Sequence, residues 1–292
     1  MFDEKTEKLA KKLGLEVMFP PAKLRTFMDN KVNTNRIAEK AGVPPVPYVL
    51  SPVKDYAHLL KVAEKLGKDL VVQTPFGDSG HTTFFINSEA DYRKHAKEIE
   101  KEKECKVMKR INCRGAAMEA CVTRHGTIVA PLMTELVGFK ELTPYKGGWC
   151  GNEIYAEAFT PSIRRKARKY TQLFGDQLLK EGYKGYFELD FLIDQRNGEI
   201  YLGELNPRIT GASSITNHAA FAMGDAPLHL FHMLEWMDQP YTLSVNALNG
   251  RWAKAENIDS WGQMVIKHTQ DDIRRVIEAP RSGIWRMRPD GS

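Results

Sequence analysis

The sequence predicts an α+β protein of two or three lobes. Three observations carry that expectation: helical periodicity closed by glycines in the leading 67 residues, a block of short strands around one charged helix between Asp69 and Ile111, and a long alternating pair of segments, Gly185 to Arg208, broken by Asn197-Gly198. A chain of 292 residues, 42% hydrophobic and 27% charged, buries a sizeable core and exceeds one simple small domain.

From the N-terminus, Asp3 to Leu13 reads as a helix, and Leu15, Val17 and Phe19 alternate as a short strand stopped by Pro20 and Pro21. Lys31 to Ala41 is a second helix closed by Gly42, Val43 to Pro47 a proline-rich connector, and Asp55 to Leu66 a third helix closed by Gly67. Strands follow at Leu70 to Thr74 and Thr82 to Asn87 around a loop, Pro75 to His81, then a charged helix, Glu89 to Lys101, and a strand, Cys105 to Ile111. Ala117 to Thr123 and Thr127 to Met133 flank a His125-Gly126 turn, and a glycine-rich stretch, Pro144 to Asn152, precedes a long helix, Ser162 to Glu181. After Tyr241 the signals thin to a strand near Gln263 to His268 and a short helix near Asp271 to Glu278. The expected units are 1–67, with the leading helices; 68–112, a small lid lobe; 113–240, a core; and 241–292, a C-terminal extension.

Composition narrows the function classes. No apolar run approaches the length of a membrane span, and the charged first helix is unlike a secretory signal, so a cytoplasmic protein is expected, with no membrane partner. The four cysteines lack the paired spacing of a zinc site and read as buried thiols. A net charge of +5, spread along the chain, argues against nucleic acid and suits an anionic small ligand. His229 and His232, one helical turn apart beside Phe231 and Leu234, read as packed helix residues.

The chemistry concentrates in Gly185 to Arg208. A two-residue Asn197-Gly198 turn would set Asp190 opposite Leu205 and mix carboxylates with apolar side chains on both faces. A three-residue loop of Arg196, Asn197 and Gly198 instead pairs Asp190 with Glu204 and Glu188 with Asn206, leaving Phe187, Leu189, Phe191 and Ile193 with Tyr201, Gly203 and Leu205 for the core. Directly paired side chains start roughly 5 Å apart at Cβ, so the two acids repel unless a cation sits between them. Oxygen donors of this kind suit magnesium better than zinc. Ordinary surface acids would account for an isolated pair, but Glu204-Leu205-Asn206-Pro207-Arg208 ends a strand with two metal-type ligands and an arginine able to hold a carboxylate or phosphate.

Those residues resemble the metal motif of ATP-grasp enzymes, above all the branch with biotin carboxylase and carbamoyl-phosphate synthetase, over about residues 25–237. The resemblance implies nucleotide held between two α+β lobes, most of the preceding N-terminal domain missing, and ATP with magnesium, or manganese, as cofactors. It implies that 1–67 holds the remnant of that N-terminal domain and 113–240 the metal site, with Asp190, Glu204 and Asn206 for the metal and Arg208 at the reaction centre. The loop Gly77-Asp78-Ser79-Gly80-His81-Thr82 is similar to the family's phosphate loop, its small residues leaving backbone N–H groups accessible. Lys31 resembles the family lysine that reaches the nucleotide, Lys109 and Ile111 fall where backbone meets the adenine edge, and Glu119 resembles an acid facing the cleft. Gln73 departs from the pattern, since the family usually has a lysine there; phosphate charge must then be met by Lys31, His81 and the metal. Lys146 and Trp149, in the glycine-rich stretch, fall on the substrate side.

The implied activity is an ATP-dependent ligase that activates a carboxylate as an acyl phosphate for attack by an amine. Bicarbonate activation of the biotin carboxylase kind and a nucleotide-binding module without turnover are the alternatives. Small-molecule carboxylate and amine substrates are the expected partners, and a homodimer is compatible with the sequence.

Overall fold

The computed structural model describes residues 3–77, 82–144, 148–268, 272–275, 277, 278, 285 and 288. Its elements run α1 (Glu4–Lys12), α2 (Ala22–Asp29), α3 (Lys31–Ala41), β1 (Tyr48–Ser51), α4 (Tyr56–Val62), β2 (Leu70–Gln73), β3 (Thr83–Ile86), α5 (Glu89–Glu100) and β4 (Cys105–Lys109). They continue with β5 (Cys113–Thr123), β6 (Gly126–Val129), β7 (Met133–Val137), β8 (Trp149–Ile154), α6 (Pro161–Lys180), β9 (Gly185–Asp194), β10 (Ile200–Asn206), α7 (Ser213–Ala222), α8 (Leu228–Trp236), α9 (Val245–Ala253) and β11 (Trp261–Met264).

Two antiparallel sheets organise the chain. The smaller has the order β1-β4-β2-β3, and α4 and α5 bury one of its faces around Leu59, Leu70, Val72, Phe84, Ile99 and Val107. β1 and α4, which the sequence reading grouped with the leading segment, belong to this unit. The larger sheet has the order β10-β9-β5-β7-β8-β11, with β6 on the same edge of β5 as β7. Its rear face packs on α3 and α6 through Met118, Phe174, Leu178, Phe187, Leu189 and Phe191. Each such buried side chain stabilises by roughly 1.5–3 kcal/mol relative to exposure.

The helix ends follow their sequence signals. Asn30 caps α3 by accepting from Val32 N–H, and Gly42 closes it in the left-handed region at φ 69°. The short strand expected at Leu15 to Phe19 is absent, because no neighbouring strand offers it a ladder. Instead the Met18 carbonyl accepts from Nε2 of His232 at 2.8 Å. The helix α2 was not anticipated; its buried side, Ala22, Arg25 and Met28, is too short a stripe to declare itself in sequence. Of the helix expected near 271–278, Asp271 and Val276 lie outside the described residues, and the others are not helical.

His232 ties three segments together, since its Nδ1 also accepts the Tyr186 N–H at 3.0 Å. Burial pulls its imidazole from the ordinary 6.5 down to about 4, with His229 nearby adding to the effect. The unfolded chain therefore takes up a proton before the folded one, so this contribution is intact above about pH 6.5 and is lost as pH falls toward about 4. Between about pH 7 and about pH 5 the expected loss is about 2 kcal/mol, read as a drop in urea midpoint. His232→Gln is expected to flatten that dependence; an equally steep one in the variant would assign it to other groups.

Candidate active site

The hairpin of β9 and β10 places the acids. Glu204 faces Asp190 and Asn206 faces Glu188 across the ladder, the pairing expected from sequence, but the route to it differs. The tip is a four-residue loop, in which Asp194 N–H donates to the Glu199 carbonyl and Gly198 N–H to Asp194. Ile200 to Leu202 consequently pair one residue out of step, and a bulge at Gly203 restores the register before Glu204. A Cβ on Gly203 would stand 3.1 Å from the Asp190 carbonyl, so the bare backbone is what lets the bulge nestle there. A one-residue shift reverses facing, which corrects the expected core face: Ile200 and Leu202 join Phe191 and Ile193 in the core, and Tyr201 turns to the opposite side with Leu192.

Asp190 and Glu204 thus share the front face of the large sheet, at the junction with the small one. Asn206 Nδ2 donates to Asp190 at 3.2 Å and to Glu188 at 3.3 Å. Arg208 leans back to Asn206 Oδ1 at 3.1 Å. Lys31, 6% exposed at the start of α3, forms an ion pair with Glu204, and its backbone N–H donates to the Pro75 carbonyl at the start of the loop after β2. Among the described residues no three His, Cys, Asp or Glu side chains already stand close enough to hold an ion. Lys31 engages the Glu204 carboxylate, so a cation there has to compete with it.

Two further acids crowd this face, and the sequence reading assigned neither a role. Glu135 on β7 lies over Gly115, where its Oε2 is 2.2 Å from the place a Cβ would take, so a side chain at 115 would exclude it. Glu188 accepts from Thr210 Oγ1 at 2.9 Å. Burial, and then mutual repulsion, pushes Glu135 up to about 7 and Glu188 up to about 8, and holds Asp190 well above the usual carboxylate range. Such a cluster of oxygens, short of positive charge, fits a hard divalent cation in its chemistry.

Glu119, the direct ladder partner of Glu188, stands on the same face of the sheet but is fully buried, accepting from Tyr186 OH at 2.6 Å and Ser213 Oγ at 2.5 Å, and so buttresses the sheet. Trp149 donates to Asn152 at 2.9 Å, and its six-membered ring lies against Gly211, just past Arg208. Gly77 rests against the Thr82 side chain. Asp78, Ser79, Gly80, His81 and Lys146 lie outside the described residues.

Where the two sheets meet, Val46, Val71, Met108, Ile111, Leu192 and Tyr201 form an apolar cluster. Lys109 N–H donates to the Pro47 carbonyl at 3.0 Å, so it is not free for a ligand. Pro47 has no N–H to return, which leaves the Lys109 carbonyl without that ladder partner beside the apolar patch. Gln73 is buried, donating to Thr83 Oγ1 at 3.0 Å, while its Oε1 has no partner among the described residues. Directly across from it on β4 stands Lys106, 1% exposed, whose Nζ donates to the Gly203 carbonyl at 3.3 Å. Burial lowers the Lys106 ammonium to about 8 against the opposing pull of Glu204.

No family model matches the chain. It is 24% identical over 209 residues to the mitochondrial alpha subunit of methylcrotonoyl-CoA carboxylase from Arabidopsis thaliana, covering 70% of this chain and 28% of that protein. Among solved structures it is similar to the biotin carboxylase domain dimer of Hydrogenobacter thermophilus 2-oxoglutarate carboxylase, in complex with MgADP, ADP and bicarbonate (TM-score 0.64, 17% identity, 81% of this chain and 51% of that one). It is also similar to Aspergillus clavatus N5-carboxyaminoimidazole synthase with ADP and 5-aminoimidazole ribonucleotide (TM-score 0.62, 17% identity, 81% and 58%) and to Campylobacter jejuni biotin carboxylase (TM-score 0.64, 15% identity, 88% and 53%). The chain spans just over half the length of these structures and about a quarter of the Arabidopsis protein.

Proposed function

We propose, from the ATP-grasp fold that this chain has, that it is an ATP- and magnesium-dependent ligase joining a carboxylate to an amine. The observation that carries the reading is the pairing of Asp190 with Glu204 on one face, with Asn206 beside them and Lys31 reaching in from α3. Those three oxygen-bearing side chains would hold magnesium, which offsets the charge on ATP's phosphates when bound. The apolar patch of Val71, Met108, Ile111 and Leu192 takes the adenine ring, and the Lys109 carbonyl accepts from its amino group. Lys31 meets the phosphates, and Arg208 orients the carboxylate for in-line attack.

In the first half-reaction a substrate carboxylate oxygen attacks the γ-phosphorus; the bond to ADP breaks and an acyl phosphate forms. The amine then attacks the acyl carbon, inorganic phosphate leaves, and the amine gives up a proton. Positioning and charge compensation are what this step asks of a protein, and the named residues are of that kind.

A second reading, bicarbonate as the carboxylate with biotin as the acceptor, draws support from the Arabidopsis relative and from the bicarbonate-bound neighbour. One assay separates the readings: ADP release with magnesium, scanned over small carboxylates with amines and over bicarbonate with free biotin. Release that requires one carboxylate-amine pair supports the ligase. Release that requires bicarbonate and biotin supports the second reading, and tight ATP binding with no release under any condition supports a module without turnover.

A further inference from the structure

Lys106 is the least explained charged side chain near the site. It is 1% exposed, yet among the described residues the hydrogen bond at its ammonium is a single long one, to the Gly203 carbonyl at 3.3 Å. An ammonium has three donors, and a buried cation with donors to spare is costly unless an anion completes it. Glu204, whose charge acts on Lys106, is engaged by Lys31.

The ladder tells which way Lys106 points. It is the direct partner of Gln73, and cross-strand partners project to the same face. Val71 and Met108, two residues along from each, turn toward the hairpin of the large sheet, so Gln73 and Lys106 do the same. The contact from Nζ to Gly203 spans that junction. Gln73, for its part, is neutral, with its Nε2 donating to Thr83 and its Oε1 buried without a partner among the described residues.

We propose that Lys106 is the phosphate-binding cation of the small lobe, delivered from β4 to the position beside Gln73, so that it and Lys31 hold the nucleotide's phosphates from two sides. The inference rests on the nucleotide reading above. It gives Gln73 the role of a neutral spacer: a second ammonium on β2, about 5.5 Å from Lys106 at the backbone, would repel it. Lys106 also marks closure, because its link to Gly203 joins the small sheet to the bulge that sets Glu204.

Calorimetric titration of MgATP and of adenosine into wild type, Lys106→Met and the double variant Gln73→Lys/Lys106→Gln tests this. Lys106→Met is expected to weaken MgATP by roughly 10- to 100-fold and to leave adenosine within about twofold, since a charge-assisted phosphate contact is lost and nothing at the base changes. The double variant, which returns the charge from the other strand, is expected to recover most of the MgATP affinity. Equal losses for MgATP and adenosine would reduce Lys106 to a latch between the lobes, and unchanged MgATP affinity would remove it from the site; either overturns the assignment. Should Lys106→Met not fold, Lys106→Gln carries the same comparison and can keep the Gly203 contact. A wild-type protein that binds no MgATP at all overturns the nucleotide reading itself, a result distinct from the failure of Lys106 alone.

Discussion

Glu204→Gln is expected to lower magnesium-dependent ADP formation by on the order of 10²–10³-fold, the effect typical of removing one preorganised charge-stabilising group. The amide keeps the shape of the side chain and still accepts a hydrogen bond from Lys31, so the ion pair is weakened without leaving a hole. What it removes is half of the charge that Asp190 and Glu204 present together across the ladder. Adenosine affinity, which depends on the apolar patch around Val71 and Leu192, is expected to stay at the wild-type level. Magnesium titration is the decisive measurement: a variant with wild-type metal dependence and rate would place the metal elsewhere.

Phe191→Ala is expected to cost about 3–5 kcal/mol of stability, the range for deleting a fully buried aromatic side chain. Phe191 follows Asp190 on β9 and points to the rear face, where it packs among Phe187, Leu189, Leu202 and the residues of α6. Its ladder partners are Leu202 on one side and Ala116 on the other, so the cavity opens under the site where the hairpin is anchored. Urea unfolding measures the loss, and Phe191→Leu, which keeps much of the volume, is expected to cost less than the alanine variant. A cost below about 1 kcal/mol for the alanine would mean that the hairpin is not anchored through this face.

Much of this arrangement was legible in the residues. The alternation of Phe187, Leu189, Phe191 and Ile193 against Glu188 and Asp190 declares a strand with one wet and one dry face, because side chains alternate with a period of two. Helix α3 was equally plain, with its bounds matching the glycine stop at Gly42. The facing of Tyr201 was not legible. Whether a glycine such as Gly203 is an ordinary strand residue or a bulge depends on the strand beside it, and a bulge reverses every side chain beyond it.

The site divides the same way. Asp190, Glu204, Asn206 and Arg208 could be named because they lie on one hairpin, where local chain geometry decides who meets whom. Lys106, Glu135 and Thr210 were passed over because no pattern within their own segments marks them, and the complete burial of Glu119 was not legible because it comes from α7 and Tyr186.

By itself, then, the sequence determined the fold class and the two neighbouring strands of acids, since both follow from short-range periodicity and turn chemistry. Only the tertiary structure decided which cations answer those acids. Lys31 reaches Glu204 across 173 positions and Lys106 reaches Gly203 across 97, and contacts of that separation are set by how the two sheets pack, which no local pattern encodes.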